Sequence, residues 1–298
     1  MSTLKRIFFT LLLVSLTACS SGRASGAPLP TPTLVPLTET PLPPTEIPRP
    51  LAARVNGEGI SLDEFNAEMA RYKSAQTALG NTVTELDAAT VVLDNLIAEY
   101  LLAQAAAETG LTPTDADLQA RLDALITQLG GADKLLAWQQ AHGYSDQDFR
   151  VALKRSVAAA RMRDKIISAV PGAAEQVHVR QILLYNEESA NYYYNRLVAG
   201  EEFDALAVQI DPITRGDIGW FPRGYLAEKT IEDAAFSLEV GKYSEVIKSQ
   251  VGFHIIKVIE RQPDRPLSPD ALLTLQNRAL ADWLASRRQQ SDIVLAPK

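Results

Sequence analysis

Few residues in this 298-residue chain have a type and spacing that could make or break a bond. It has one cysteine, Cys19, and three histidines, His142, His178 and His254, far apart in sequence. A single thiol excludes an intrachain disulfide or a Cys-based zinc cluster, and scattered imidazoles argue against a metal site. No G-x-S-x-G, P-loop, H-E-x-x-H or paired-cysteine motif occurs, so hydrolase, NTPase and metalloenzyme chemistry have no sequence basis and no cofactor is expected. What remains is His254, inside Gly252-Phe253-His254-Ile255-Ile256. Alternation along a strand puts its imidazole on the face of Ile256 and Val258. Such a histidine is either a satisfied core residue or a polar group set beside an apolar cleft. The same alternation sends His178 and Gln181 of VHVRQILL to opposite faces.

The elements that would position these residues begin some fifty residues into the chain. The N-terminal MSTLKRIFFTLLLVSLTAC has a short basic start, Lys5-Arg6, and an apolar run of about ten residues, too short for a membrane-spanning helix. It reads as a secretory leader over 1–18, and its end, Leu16-Thr17-Ala18-Cys19, resembles the lipobox of bacterial lipoproteins. That resemblance implies lipidation of Cys19 and an extracytoplasmic chain anchored in the cell membrane. Residues 19–50 carry nine of the 17 prolines, which bars helix and sheet and gives an extended tether. The 29 Lys and Arg against 36 Asp and Glu leave a net charge of -7, which excludes a nucleic-acid-coating protein.

Residues 51–172 read as a helical domain. Asn56-Gly57 marks a hairpin turn, and Ser61 with Glu64 a capping box that starts the first helix. Leu93, Leu96, Ile97, Tyr100 and Leu101 share one face of a second, stopped at Gly110. Thr114 with Asp117 opens a third, 132–141 forms a fourth, and Ser145 with Asp148 caps a fifth that runs to about Val170. Residues 173–263 change texture: a β-rich VHVRQILL, helices near 188–199 and 202–210, a Gly-rich loop RGDIGWFPRG, a short helix near 231–238, then closing strands SEVIKS and GFHIIKVIE. That order defines a compact α+β domain. Within 264–298, Ser268-Pro269-Asp270 caps a final helix whose stripe of Leu272, Leu275, Leu280, Trp283 and Leu284 needs a partner; the N-terminal helices are the expected one. The fold class is α+β, with a discontinuous helical domain and the α+β domain inserted in it.

This arrangement resembles the exported foldases of the SurA and PrsA kind, a helical chaperone domain with an inserted parvulin-type prolyl isomerase domain. The resemblance rests on VNGEGISLDEF and VLDNLIAEYLLAQAAAETGL in the first part, and on GDIGWFPRGYL and IEDAAFSLEVGKYSEVIKSQVGFHIIKV in the second. It implies a membrane-anchored foldase that isomerises X-Pro bonds in unfolded exported polypeptides. Carried over by position, His254 matches the second family histidine and Asp211 the Asp/Cys position. Ile218, Phe221, Leu226 and Ile231 fit the proline pocket, with Ile231 where Phe is usual. Gln181 stands in place of the first histidine, and Val251 where Ser or Thr is common. Those departures leave a second reading, a non-catalytic holdase whose parvulin-like domain is a peptide clamp.

Overall fold

The computed structural model describes residues 50–296. The expected leader, Cys19 and all of the tether but Pro50 lie outside the described residues. Strands β1 (Leu51–Val55) and β2 (Glu58–Ser61) form an antiparallel hairpin. Its turn residues Asn56 and Gly57, at φ 51° and 86°, supply the two left-handed positions of a type I′ turn. A third strand, β3 (Ala173–Leu184), belongs to the second sheet described below.

Five helices follow the hairpin: α1 (Leu62–Ala78), α2 (Glu85–Glu108), α3 (Asp115–Leu129), α4 (Ala132–Ala141) and α5 (Asp146–Ser168). Ser61, Thr84, Thr114 and Ser145 each accept the N3 amide, satisfying a donor that the helix itself cannot. Thr114 and Asp117 complete a reciprocal capping box. The box expected at Ser61 is only half made, because Glu64 turns instead to Arg155 and Tyr100. Arg155 is largely buried, also meets Glu99 at 3.2 Å, and lies 4.3 Å from the centre of the Tyr100 ring. A guanidinium taken out of water needs such carboxylates more than a helix end needs a second cap. The resulting polar knot joins α1, α2 and α5.

In the α+β part, α6 (Glu187–Val198) and α7 (Phe203–Ile210) precede β4 (Asp217–Pro222), α8 (Lys229–Ser237), β5 (Ile247–Lys248) and β6 (Phe253–Pro266). The sheet order is β4-β3-β6-β5, antiparallel throughout. On one face Ile182, Leu184 and Ile255 pack with Leu197, Phe203 and Leu206 of α6 and α7. On the other, Val177, Val179, Ile256 and Val258 pack with Phe221 and with Ile231, Ala235 and Phe236 of α8. Each such side chain, once buried, contributes about 1.5–3 kcal/mol.

Two sequence expectations change here. Six residues of the Gly-rich RGDIGWFPRG segment are not loop but the edge strand β4, which carries a bulge at Ile218 opposite Val179 and Arg180 of β3. SEVIKS contributes only Ile247 and Lys248 to pairing, because the backbone then turns tightly at Ser249–Gly252. β6 runs past Glu260 to Pro266, opposite Ala173, so a two-stranded ribbon carries the chain out to the sheet and back.

The last helix, α9 (Pro269–Gln289), lays Leu280, Trp283 and Leu284 against Ala158, Ala159 and Met162 of α5 and Ala105 and Ala106 of α2. A short strand, β7 (Ile293–Leu295), then pairs with the free side of β1, Ala53 opposite Leu295. No periodicity announces a strand of three residues; the open edge of β1 creates it.

Candidate active site

Gln181 and His254 lie on neighbouring strands, β3 and β6, with Gln181 directly opposite Ile256, two residues along from His254. The alternation therefore brings both side chains to one face, where the Gln181 amide oxygen stands 2.9 Å from His254 Nδ1. The other ring nitrogen, Nε2, is 2.8 Å from Ser249 Oγ, which in turn accepts the Val251 amide at 3.1 Å. These contacts fit a neutral imidazole carrying its proton on Nδ1: that N–H donates to Gln181, and the serine hydroxyl donates to Nε2. His254 is buried, and burial lowers its pKa below the ordinary histidine value, against the opposing pull of the Glu228 carboxylate.

Ser249 escaped the sequence reading, which noted only that Val251 stands where Ser or Thr is common. The turn between β5 and β6 supplies a hydroxyl from two residues earlier, closed by a 2.8 Å hydrogen bond from the Ser249 amide to the Gly252 carbonyl. A serine five residues before a strand histidine is the only signal the sequence carries, and only the turn makes it reach.

Asp211 is not hydrogen-bonded to Gln181 or His254. As the residue ending α7, its carboxylate accepts the amides of Ile213 (3.1 Å) and Thr214 (3.0 Å) and the Thr214 hydroxyl. The Thr214 hydroxyl, then the Thr214 amide, hold this carboxyl below the usual range. Its reach to the site is indirect: the loop it folds ends at Gly216, whose carbonyl accepts the Gln181 amide at 2.7 Å. Gly216 sits at φ 68°, and a Cβ there would fall inside 3.0 Å of the Gln181 carbonyl oxygen, so only glycine lets the loop lie on β3.

The four apolar candidates are all part of the core layer between the sheet and α8. Phe221 and Ile231 are buried, at 1% and 3% exposure, and form its floor; Ile218 and Leu226 are half-buried and reach the surface. Trp220 faces the other way, stacked on His178 at 5.4 Å with the Arg265 guanidinium 4.2 Å from its ring. His178 itself bonds Asp217 at 2.8 Å on that side, well separated from the Gln181–His254 pair by strand parity. The site is thus a hydrogen-bonded Gln–His–Ser line beside an apolar surface. Among the described residues, no group of acids, histidines or cysteines could hold a metal.

A sheet of four antiparallel strands with a histidine on its last long strand, joined to a capped helical body, defines a class, and comparison with known families agrees. Residues 185–260 match the PPIC-type peptidyl-prolyl isomerase domain and residues 46–151 the SurA-like N-terminal domain. The chain therefore carries a match to each of these two modules, one after the other. Among individual proteins it is similar to the foldase protein PrsA of Caldanaerobacter subterraneus subsp. tengcongensis, 33% identical over 177 residues, which cover 56% of this chain and 55% of that one. It is 30% identical over 169 residues to foldase protein PrsA 4 of Bacillus cereus, covering 51% of this chain and 57% of that one. The chain thus spans little more than half the length of these relatives. A crystal structure titled as the peptidylprolyl isomerase PrsA from Bacillus cereus aligns with 24% identity and a TM-score of 0.44, over 79% of this chain and 84% of that one.

Proposed function

We propose that the protein is a foldase that catalyses cis–trans isomerisation of X-Pro bonds in unfolded polypeptides outside the cytoplasm, held to the membrane by a lipid on Cys19. The observation that carries the catalytic part is the Gln181–His254–Ser249 line beside the half-buried Ile218 and Leu226. Rotation about a peptide bond faces a barrier of about 18–20 kcal/mol, and uncatalysed X-Pro isomerisation takes about tens to hundreds of seconds. Twisting the amide destroys its resonance and leaves a less polarised carbonyl and a more basic proline nitrogen. No covalent intermediate is required; a catalyst needs an apolar seat for the proline ring and fixed polar groups matched to the twisted amide. Leu226 and Ile218 would provide the seat. The imidazole, locked from both sides, would provide polarity that does not have to reorganise.

A second reading, a non-catalytic clamp, draws on Gln181 in the position of a family histidine and on the carboxylate of Asp211 being held by its own loop. A cleft of about 560 Å³ in the helical part, lined in part by Leu51, Tyr100, Tyr144 and Val151, offers apolar and polar surface for extended clients under either reading.

The test is a protease-free prolyl isomerisation assay on the full chain beside His254→Ala, Gln181→His and His178→Ala. Turnover that His254→Ala abolishes and His178→Ala leaves intact supports the enzyme. Silence in the unchanged protein, with gain in Gln181→His, supports the clamp.

A further inference from the structure

The carboxylate of Glu232 lies buried on α8 and is surrounded by backbone donors rather than by a cationic side chain. One oxygen accepts the amide of Gly224 at 2.8 Å; the other accepts those of Tyr225 at 3.0 Å and Leu226 at 3.1 Å. Three convergent N–H groups make a compact anion seat, and each bond is charge-assisted. The loop they belong to follows β4 and carries Leu226, while the residue preceding Glu232 on α8 is Ile231. One side chain therefore ties the half-buried edge of the apolar surface, Leu226, to its buried floor, Ile231. On its outer side the loop is stopped by α9: Gly224 is at φ 85°, and a Cβ there would lie 3.1 Å from Leu275 and 3.3 Å from Arg278.

From this geometry we propose that Glu232 is a positioning residue for proline binding, which fixes the height of Leu226 above the buried Ile231 and hence the depth of the seat that takes the ring. The inference rests on the isomerase reading and adds to it a residue that touches no substrate. Because Leu226 would grip the ring alike in the ground state and the twisted state, loosening it weakens both equally. The loss then appears in KM rather than in kcat.

The experiment compares the full chain with Glu232→Ala and Glu232→Gln in the isomerisation assay, in binding of an Ala-Xaa-Pro-Phe tetrapeptide, and in amide hydrogen exchange of residues 223–227. Glu232→Ala should raise KM and peptide Kd about tenfold with kcat changed less than about threefold, the scale of one misfitted methyl-sized contact. Its loop amides should lose their protection. Glu232→Gln keeps one acceptor oxygen and should fall between. A merely structural role would instead lower the active fraction, and with it apparent kcat, at unchanged KM. Protected loop amides or an unmoved KM and Kd in Glu232→Ala would overturn this inference alone. Absence of both turnover and peptide binding in the unchanged protein would overturn the isomerase reading and this inference with it.

Discussion

Replacing Gly216 by alanine should damage the site without touching any of its polar side chains. Two costs add. At φ 68° an L-residue pays about 1–2 kcal/mol for the left-handed conformation. The new methyl also meets the Gln181 carbonyl oxygen inside 3.0 Å, so the loop must lift and release the 2.7 Å bond from the Gln181 amide to Gly216, worth about 1 kcal/mol net. The sum is about 2–3 kcal/mol. Gly219 is an internal reference, since its φ of 82° carries the same conformational cost while nothing lies near its missing Cβ. Gly219→Ala should therefore lose only about 1.5 kcal/mol. Urea titration read by hydrogen exchange of the 173–184 peptide would give both numbers, and the isomerisation rate of Gly216→Ala should fall with the displacement of Gln181. Equal destabilisation by the two substitutions, within about 0.5 kcal/mol, would refute the claim that close approach to β3 is what reserves position 216 for glycine.

Two more outcomes are expected. The pKa of His254 lies below the ordinary value of about 6.5, so the unfolded chain takes up this proton first as pH falls. Its share of stability is intact above about pH 6.5 and is lost on descending through the window below it, a slope that urea unfolding between pH 8 and 5 should show and that His254→Gln should flatten. Arg155→Leu would leave Glu64 and Glu99 without their cation in a largely buried position and should cost about 3 kcal/mol, measured as a lower urea midpoint for the helical part.

Much of this was legible because it is local. Ser61, Thr114 and Ser145 sit where cap chemistry places them, and period-two alternation was enough to separate His178 from Gln181; that Gln181 shares a face with His254 follows from the register of β3 against β6. What failed depends on partners distant in sequence or on backbone path. Asp217–Pro222 looks like a turn-former and becomes a strand only because β3 offers an open edge, to which it pairs with a bulge at Ile218. Glu64 satisfies every rule for a capping box and is claimed by an arginine 91 residues later. Nothing in the sequence sets Glu232 apart; its burial follows from a loop that folds back over it. Phe221 was read as a pocket residue from its motif, yet at 1% exposure it supports the apolar surface from beneath.

The pairing of β1 with β7 has a consequence for the order in which the molecule is completed. The four-stranded sheet has all its strands by Pro266, whereas the three-stranded sheet has β1 and β2 from the start and waits for Leu295. A chain emerging N-terminus first therefore has its four-stranded module ready while the body that flanks it is still open, with α2 and α5 exposing the surface meant for α9. Closure couples residues more than two hundred positions apart, the slow kind of contact to form. The helical body is thus the part of the chain that stays uncovered longest, for as long as its last strand is missing.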